Sequence, residues 1–469
     1  MGVDYQIESE IISTDVLVVG SGPVGATYAR KLVDAGHHVL MVDVGAQETE
    51  IPGEHKKNDN QVSTNEFSEM IKEECVPLAP ESTLPAAAAT RSVGGMGGHW
   101  TCGTPSPHPK LERPKFFSER QWNTLIREAQ QLINTNFTEF DNSVRHNLVK
   151  KALENAFTDE RIFSSIPLAC KNVDGQIVWS SAATVLGETT KSDLFTLLPQ
   201  HICKKINKNG NIIISAEVYD ITTQKTKIVK AKQYAICAGA VLTPQILYNS
   251  GMKQDLPALG AYLTERILTF CQVTLKQEIV KEADVPKDDK DVQLLQGVTE
   301  TRPWQTMIHR DAFQYGQVPE NVNEKLVVDI RSMSGMEPKK ENRIEFSDNA
   351  KDEYGMPKVS FNVLPSNSDL KRGAKMMQDM QTIATKLGSF VTEPRVMPPG
   401  TAQHICGTTR AGTSPTDSVV DSNSKVWGVD NLYLGGCGVI NTAMACNPTL
   451  TAMCFAIVGA EKVESALRA

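Results

Sequence analysis

Residues 15–43 read DVLVVGSGPVGATYARKLVDAGHHVLMVD. The apolar and mostly β-branched residues 16–19 predict a short buried strand of the parallel type. Gly20, Gly22 and Gly25 follow it directly and complete a GxGxxG pattern, and the next residues have the composition of a helix. A strand, a glycine-rich turn and a helix in this order are typical of the phosphate-binding turn of a Rossmann unit.

The same unit continues to a second strand and an acidic residue. Gly36 ends the helix, residues 39–42 form another apolar run, and Asp43 follows them. In such a unit the first glycine permits the tight turn, the second lets the backbone approach a pyrophosphate, and the third lets helix and strand pack closely. The helix N-terminus would bind the phosphates, and Asp43 would bind the ribose hydroxyls. The pattern predicts a dinucleotide site but does not distinguish FAD from NAD.

A second glycine-rich stretch favours a flavin. Residues 93–101 read VGGMGGHWT, with four glycines in five positions, so the backbone there can press against a flat ring system. His99 in this loop could bond covalently to a flavin methyl group or pack beside it. For this segment alone, an incidental histidine in a glycine-rich turn is an equal alternative.

His404 and Asn447 form a third candidate group. Removing a proton from an alcohol while hydride leaves the same carbon needs a base with a pKa near neutral, and histidine is the usual choice. An asparagine beside it can hold the substrate oxygen. Asn447 and Pro448 also have the residue types of a helix N-cap and first helical position, and the helix dipole would stabilise an anionic reduced flavin. Taken alone, a single histidine is more often structural.

Composition argues against several classes of function. The 469 residues include 48 Lys and Arg against 55 Asp and Glu, a formal net charge of −7, without the dense basic runs that bind nucleic acid or anionic membranes. No apolar stretch approaches the roughly 20 residues that span a bilayer, and no signal peptide is recognisable. The ten cysteines contain no CxxC pair, so we expect reduced thiols, no metal, and an intracellular, cytoplasmic protein.

Both ends of the chain contribute to one nucleotide-binding domain in this interpretation, because residues 431–434 form an apolar run before Gly435 and Gly436. Ser118 and Gln121 predict a capping box at the start of a helix, and alternating segments up to residue 237 predict antiparallel strands. We expect an α/β protein in which an α+β substrate domain on an antiparallel sheet is inserted into a discontinuous Rossmann-like FAD-binding domain. The expected boundaries are 1–110, 200–258 and 400–469 for the FAD-binding domain, and 111–199 and 259–399 for the substrate-binding domain.

Several further stretches resemble the glucose–methanol–choline (GMC) oxidoreductases and, within that family, the pyranose oxidases and their shorter sugar- and C-glycoside-oxidising relatives. These stretches are 94–102 (GGMGGHWTC), 237–251 (beginning CAGA), 259–272 (LGAYLTERILTFCQ), 309–316 (HRDAFQYG), 435–438 (GGCG) and 447–453 (NPTLTAM). The resemblance extends over most of the chain and implies a GMC/PHBH-like fold, the second name standing for p-hydroxybenzoate hydroxylase.

The resemblance also implies roles for individual residues. His404 matches the catalytic base, Asn447 its partner, and His99 the histidine that carries FAD covalently. Thr101 matches a residue near the reactive flavin nitrogen, and Val218 one whose backbone reads the adenine. The residues implied in FAD binding are Gly20, Gly22, Gly25, Asp43, Gly94, Gly95, Met96, His99, Trp100, Thr101, Val218, Ala238, Gly436, Cys437, Asn447 and Thr449. Those implied in substrate binding are Asp311, Phe313 and Tyr315 on a loop that closes over the sugar, with Arg331 and Met307 in the pocket.

Three positions depart from the family pattern. Gly98 replaces the hydroxyl residue before the attachment histidine, Met307 replaces a sugar-binding glutamine, and Thr409 replaces a second histidine near His404. A pocket that loses a polar partner should discriminate sugar hydroxyls differently. The chain is also shorter than fungal pyranose oxidases, so we expect no head domain or tetramerising arm, and a monomer or dimer.

We therefore expect FAD-dependent oxidation of a secondary ring alcohol of a sugar or glycoside, at C2 or C3, to a keto-sugar. His404 would take the proton and hydride would pass to flavin N5. Oxygen, giving hydrogen peroxide, or a quinone-like acceptor would reoxidise the flavin. The alternatives are an FAD-containing lyase of the hydroxynitrile-lyase type, a sugar dehydrogenase in secondary metabolism such as kojic acid formation, and a redox-silent binding protein. The discontinuous layout and the 94–101 loop argue against an NAD dehydrogenase.

Overall fold

A computed structural model of the chain describes residues 10–59, 64–281, 285–287, 289–310 and 318–469. The helices among these residues are α1 Pro23–Asp34, α2 Thr64–Glu74, α3 Glu119–Leu132, α4 Val144–Ala156, α5 Ala182–Leu186, α6 Gly239–Asn249, α7 Asn367–Leu387 and α8 Thr449–Arg468. The strands are β1 Ile11–Val19, β2 Val39–Val42, β3 Cys75–Pro77, β4 Ala88–Thr90, β5 Thr135–Asn136, β6 Phe163–Ser165, β7 Leu168–Val173, β8 Gln176–Trp179, β9 Phe195–Leu198, β10 His201–Asn209, β11 Ile212–Asp220, β12 Lys225–Ile236, β13 Arg266–Leu275, β14 Gln293–Gln296, β15 Trp304–His309, β16 Val327–Gly335, β17 Arg343–Lys351, β18 Pro357–Asn362, β19 Gly388–Val396 and β20 Leu432–Leu434.

The first sheet has the parallel centre that the sequence predicts. Its strand order is β10-β11-β12-β1-β2-β9, and β20 pairs with β12. Strands β12, β1, β2, β9 and β20 run parallel, whereas β10, β11 and β12 form an antiparallel meander. Residues 16–19 and all of β2 are buried, as strands covered on both faces must be. The expected Rossmann-like domain is confirmed.

Helices from the two ends of the chain pack together on this sheet. A Cβ atom at Gly459 of α8 would lie 1.9 Å from the Tyr28 hydroxyl of α1, so only glycine permits this approach. Helix α3 also packs against α8, with Trp122 buried between them. The predicted start of α3 is correct, because the Ser118 hydroxyl accepts a hydrogen bond from the Gln121 N–H over 3.2 Å.

The first sheet is assembled from segments that are far apart in the sequence. Its strands come from residues 11–42, 195–236 and 432–434. Strand β9 lies in the range 111–199 that was expected to belong to the substrate-binding domain, but it pairs parallel with β2 in the first sheet. The segments between these strands supply the second sheet, so the discontinuous layout inferred from the two chain ends is present in the fold.

The second sheet is antiparallel throughout. Its order is β19-β13-β16-β15-β14-β6, and α7 packs across β13, β16 and β19. Ser366 and Asp369 cap the start of α7 reciprocally, and its face toward the sheet buries Met376, Met380 and Leu387. This is the α+β insertion that the sequence led us to expect.

Helix α8 begins one residue later than the sequence predicts. Pro448 is its N-cap and the helix starts at Thr449, without a side-chain cap. The interpretation of Asn447 as the N-cap is wrong, because its side-chain oxygen accepts a hydrogen bond from Gln305 instead. Helix α8 is largely buried and apolar, yet no helix in the described ranges is both long and apolar enough to cross a membrane.

Candidate active site

The three glycines of the turn after β1 differ in what surrounds them. Gly20 has a φ of +98°, and a Cβ there would lie 2.5 Å from the Cys237 carbonyl oxygen. A Cβ on Gly25 would lie 1.9 Å from the Gly20 carbonyl oxygen, so the approach of α1 to β1 requires glycine. For Gly22 the nearest atom would be the Gly94 oxygen, 3.7 Å away. Of the three, Gly22 presents backbone on which a ligand can rest.

The N-terminus of α1 supplies hydrogen-bond donors beside that surface. Gly22 is the N-cap, no side chain caps the helix, and Pro23 occupies the first helical position. The N–H groups of a first helical turn have no intrahelical partners, and the helix end has a partial positive charge. Glycine backbone and an uncapped helix end together fit the pyrophosphate of a dinucleotide.

Asp43 follows β2 beside this turn, and protein groups occupy three of its acceptor positions. Its Oδ2 accepts hydrogen bonds from the N–H and the hydroxyl of Ser21 over 2.8 and 2.6 Å, and Oδ1 accepts one from the Gly45 N–H over 2.8 Å. Burial raises the pKa of the Asp43 carboxyl above its ordinary value. A carboxylate has about four acceptor positions, so one is left for a ribose hydroxyl. Ribose binding by Asp43 stays a prediction.

The second glycine loop lies directly on the first turn. The Ser21 hydroxyl accepts a hydrogen bond from the Gly94 N–H over 2.8 Å, and a Cβ on Gly97 would lie 2.8 Å from Pro23 Cγ. A Cβ on Gly95 would lie 3.6 Å from Gly22 Cα. Both loops therefore form one backbone surface at the carboxyl end of β1, where open α/β sheets bind ligands. Sequence reasoning missed Ser21 because it fills a variable position of the GxGxxG pattern.

His99 is buried at the end of this loop. Its Nε2 lies 3.0 Å from the Thr90 hydroxyl oxygen and 3.7 Å from Cys75 Sγ, whereas its Nδ1 has no hydrogen-bond partner in the part of the chain that the structure describes. Burial, with a smaller effect of the Lys56 charge, lowers the pKa of His99 to about 4. The ring is therefore neutral near pH 7. Attachment of a flavin to it stays a prediction.

Two further turns meet at the same sheet edge. Ala238 precedes α6 after β12, and Gly436 follows β20, the parallel neighbour of β12. Gly436 has a φ of +108°, and a Cβ there would lie 3.4 Å from Gly239 Cα. The other residues implied in FAD binding lie in or beside these turns: Met96 in the helical turn 95–98, Trp100 and Thr101 after it, Cys437 after Gly436, and Thr449 at the start of α8.

Val218 is buried in β11, opposite Cys203 of β10. Two residues further on, Asp220 pairs with His201, whose N–H donates a hydrogen bond to the Asp43 carbonyl oxygen over 2.7 Å. Val218 therefore lies on the strand pair that adjoins Asp43. Recognition of adenine by its backbone stays a prediction.

His404 lies in the segment after β19, and buried charged side chains bind both of its backbone polar groups. Its N–H donates to Glu265 Oε1 over 2.8 Å, and its carbonyl oxygen accepts from Arg266 Nη1. Gln403 before it has a φ of +56°, a conformation that costs energy and is found at functional sites. Among the described residues, His404 Nδ1 has no hydrogen-bond partner. Burial and the charges of Arg266 and Arg331 lower the pKa of His404 well below its ordinary value, so the ring is neutral.

Asn447 faces the second sheet. Its Oδ1 accepts a hydrogen bond from Gln305 Nε2 over 2.9 Å. A Cβ built on Gly103 would lie 3.5 Å from Asn447 Nδ2 and 3.6 Å from Met307 Cε, so these three residues meet at one point. Gln305 was not singled out from the sequence. Its position two residues before Met307 on a strand, hence on the same face, is the signal that could have found it.

Met307 and Arg331 stand opposite each other on β15 and β16, and both are buried. Burial lowers the pKa of Arg331 to about 9. The charge of Arg331 acts on His404, and Met307 adjoins Asn447 through Gly103. The structure thus brings together the four candidate residues His404, Asn447, Met307 and Arg331. The predicted loop residues Asp311, Phe313 and Tyr315 lie outside the described residues.

Comparison with known proteins places the chain in a family. Two family profiles, both described as GMC oxidoreductase, match residues 141–267 and 338–456. A pyranose 2-oxidase from Emericella nidulans is 38% identical over 97% of this chain and 92% of its own length. The chain belongs to the GMC oxidoreductase family. That alignment has 557 positions, more than the 469 residues of this GMC oxidoreductase, so segments of the relative have no counterpart here.

Further relatives cover nearly the whole chain. A pyranose 2-oxidase from Lyophyllum shimeji is 36% identical over 97% of this chain and 92% of its own length. A C-glycoside 3-oxidase from Microbacterium trichothecenolyticum is 30% identical over 97% of both chains. A solved formate oxidase from Aspergillus oryzae has a TM-score of 0.74 at 12% identity, covering 97% of this chain and 99% of its own. A solved pyridoxine 4-oxidase from Mesorbium loti has a TM-score of 0.70 at 15% identity, covering 96% of this chain and 99% of its own. These two structures share the fold.

The family determines the cofactor and the type of reaction. GMC oxidoreductases bind FAD and act on CH–OH groups, so the dinucleotide predicted from the βαβ unit is FAD. The preference for FAD over NAD, drawn from the second glycine loop, is confirmed. The glycine surface at Gly22 and the uncapped end of α1 are the part of the structure that fits its pyrophosphate.

Proposed function

We propose that this GMC oxidoreductase oxidises a secondary ring alcohol of a sugar or glycoside, at C2 or C3, to a keto-sugar. The observation that carries the proposal is the neutral imidazole of His404 together with the Asn447 amide, next to the strands of Met307 and Arg331. Relatives named pyranose 2-oxidase and C-glycoside 3-oxidase support a carbohydrate as substrate. When bound, FAD supplies the hydride acceptor.

His404 acts as the base. Burial and two nearby guanidinium groups keep its imidazole neutral, so a ring nitrogen is available for the proton of the substrate hydroxyl. A base in position contributes about 10²–10⁴ to the rate, because loss of the proton raises electron density on the oxygen as hydride leaves its carbon. The same positive charges disfavour the imidazolium that results, so they weaken His404 as a base and favour release of the proton afterwards.

Asn447 holds the substrate oxygen. Gln305 occupies its Oδ1, and Nδ2 is the donor that lies beside Gly103 and Met307. A donor fixed at this point orients the hydroxyl group toward His404, and fixed orientation of reacting groups lowers the barrier. Asn447 thus binds the oxygen that His404 deprotonates.

Met307 favours C3 over C2 as the carbon oxidised. A thioether gives this side of the pocket a weak acceptor and no donor, where a glutamine would offer both. The ring hydroxyl that faces Met307 is therefore not held by a hydrogen bond, and the sugar can present a different carbon. Substrate binding by Asp311, Phe313 and Tyr315 stays a prediction. Reduced FAD would pass its two electrons to oxygen, giving hydrogen peroxide, or to a quinone-like acceptor.

Anaerobic mixing with a panel of sugars and glycosides tests the function. With at least one member of the panel, the FAD-loaded protein should lose nearly all of its absorbance at about 450 nm as the flavin is reduced. NMR of the product should then show a ketone at C2 or C3. Turnover without bleaching would indicate lyase chemistry instead. An unchanged flavin spectrum with the whole panel would contradict the proposal.

Covalent attachment of FAD through His99 is tested separately. The free Nδ1 of its neutral ring is the nitrogen that could bond to a flavin. Acid-precipitated protein stays yellow if FAD is attached, and His99→Ala then gives a colourless precipitate. A colourless precipitate from the unchanged protein would overturn the attachment but not the proposed oxidation.

A further inference from the structure

One guanidinium group joins the backbone segments that hold His404 and Asn447. Arg266 begins β13 and is buried. Its Nη1 donates to the carbonyl oxygen of His404, and its Nη2 donates to the carbonyl oxygen of Cys446 over 3.0 Å. Because Cys446 directly precedes Asn447, the planar fork of one side chain fixes the distance between the two peptide groups.

Glu265 binds the other polar group of the His404 backbone. Its Oε1 accepts the His404 N–H over 2.8 Å, and its Oε2 accepts the N–H of Arg266. Beside it, Thr264 and Cys406 form an antiparallel bridge with N···O distances of 3.0 and 2.9 Å. The segment of His404 is therefore held to the start of β13 at several consecutive residues.

Glu112 binds the segment of Asn447 from the opposite side. Its Oε1 accepts the N–H groups of Ala445 and Cys446 over 2.7 and 3.0 Å. The carbonyl of Cys446 is bound by Arg266, so buried charged side chains hold both backbone polar groups of this residue. Displacing Arg266 would free the carbonyl while Glu112 still holds the N–H.

Arg266 acts on the His404 imidazole through its charge as well as through its geometry. Burial is the largest cause of the lowered pKa of His404, and the charges of Arg266 and then Arg331 lower it further. The acidic groups on this side are the Glu265 carboxylate, which binds the His404 N–H, and the Cys406 thiol, which donates a hydrogen bond to the His404 carbonyl oxygen over 3.3 Å. A positive neighbour disfavours a second positive charge, so Arg266 helps to keep the base unprotonated.

We propose that Arg266 is a positioning residue for the reaction, because its fork sets the spacing between the His404 imidazole and the Asn447 amide. The inference rests on the proposed function, which gives those two side chains their roles. Arg266 acts through them and does not touch the substrate. A displacement of about 1 Å between reacting groups can cost about 10² in rate, so a small change in this spacing is measurable.

Arg266→Lys is the main test, because lysine keeps the charge but lacks the planar fork that reaches two carbonyls. At saturating sugar, flavin reduction in the FAD-loaded variant should be slower by a factor of about ten or more. The substrate concentration for half-maximal rate and the acid limb of the pH profile should change little. Arg266→Met also removes the charge, so its acid limb should move to higher pH as the pKa of His404 rises. Should Arg266→Met fail to fold, Arg266→Lys alone decides.

Arg145→Lys is a matched control. Arg145 is also buried and its Nη1 and Nη2 donate to the carbonyl oxygens of Lys325 and Lys290 over 2.8 and 3.2 Å, at the start of α4. The control should lose stability without slowing flavin reduction. If it slows reduction as much as Arg266→Lys does, the effect is general structural weakening and the inference falls.

A double-mutant cycle separates positioning from independent effects. In an Asn447→Ala background Arg266→Lys should have little further effect, because the group whose placement Arg266 sets is gone. Fully additive losses, or a normal rate for Arg266→Lys alone, overturn the inference. The proposed function fails in a different way: flavin reduction that His404→Ala leaves undiminished would remove it, whatever the Arg266 variants do.

Discussion

The amide of Gln305 donates a hydrogen bond to Asn447 Oδ1 over 2.9 Å, between the second sheet and the start of α8. Both side chains are buried, so the bond joins two desolvated groups. It uses the acceptor of Asn447 and leaves the donor beside Gly103 and Met307. The orientation of the Asn447 amide therefore depends on a residue of the substrate-side sheet.

Replacing Gln305 by leucine should slow flavin reduction about tenfold while FAD stays bound. The change leaves Asn447 Oδ1 as a buried acceptor without a partner, which costs about 1–3 kcal/mol and lets the amide turn. Stopped-flow absorbance at saturating sugar measures the rate. Gln245→Leu is the control, since Gln245 is a buried amide of α6 that bonds to Asp352 and the Pro357 carbonyl. Equal losses in both variants would contradict a specific role of Gln305.

His404→Ala should reduce the rate of flavin reduction by about 10² or more without loss of FAD. The pH profile gives a second test. The pKa of His404 lies well below 6.5, so the base is already unprotonated at pH 6.5 and the rate should be nearly constant from there to pH 8. It should fall only as the pH drops through this lowered pKa. A rate that halves at pH 6.5 would indicate an ordinary histidine.

Gly22→Ala and Gly25→Ala should fail in different ways. A Cβ on Gly22 meets no protein atom closer than 3.7 Å, so that variant should fold normally but bind FAD about tenfold or more weakly. A Cβ on Gly25 would lie 1.9 Å from a backbone oxygen, so that variant should lose stability itself. Thermal unfolding of the apoprotein and FAD titration separate the two. Normal FAD affinity in Gly22→Ala would place the pyrophosphate elsewhere.

Met307→Gln should shift preference among sugar hydroxyls. Glutamine restores a donor and an acceptor next to Asn447 and opposite Arg331, and a buried polar group that finds no partner on the substrate costs about 1–3 kcal/mol. We expect the proportion of C2 to C3 ketone to rise about tenfold, read from NMR of the products. Met307→Leu, which adds no polar group, is the control. The same product ratio in all three proteins would exclude Met307 from selecting the carbon.

His55 should make the protein less stable in acid. Burial lowers its pKa to about 3, and its Nε2 lies 2.9 Å from the Trp100 carbonyl oxygen. The unfolded chain, with a pKa near 6.5, binds the proton first, so stability falls as the pH drops from 6.5 toward 3. The loss from this one group is about 2 kcal/mol at pH 5 relative to pH 8. His55→Gln should remove that share of the acid sensitivity in urea unfolding, whereas exposed His38→Gln should not.

Local sequence patterns were sufficient to predict much of the fold. The order of strand, glycine turn, helix and acidic residue in 15–43 predicted β1, α1 and β2 correctly, because the signals for these three elements lie in neighbouring residues. Ser118 gave the start of α3 for the same reason. The prediction for Asn447 as an N-cap is wrong, since a tertiary hydrogen bond to Gln305 outweighs the local preference.

The supporting contacts of the site could not be predicted in this way. Glu265 and Arg266 act on His404 and Cys446, residues 138 to 180 positions further along the chain. Both lie in the stretch 259–272 that carries the family resemblance, but the stretch does not show what they bind, because their partners are backbone groups, which every residue type provides. Ser21 bonds to Asp43 and Gly94 across shorter gaps of 22 and 73 positions. Motifs reveal the residues that meet the ligand, whereas long-range contacts of this kind need coordinates.

The pairing of β20 with β12, and of α8 with α1, has a consequence for biosynthesis. Residues 432–434 complete a sheet whose other parallel strands lie between residues 11 and 236, and α8 covers α1 only after it. A nascent chain that has emerged as far as residue 400 therefore lacks β20 and α8, and the apolar surfaces of β12 and α1 that they cover are exposed. The backbone cradle for FAD is thus complete only once residues 432–468 have joined the sheet, and the apolar surface that they cover is open to aggregation before that.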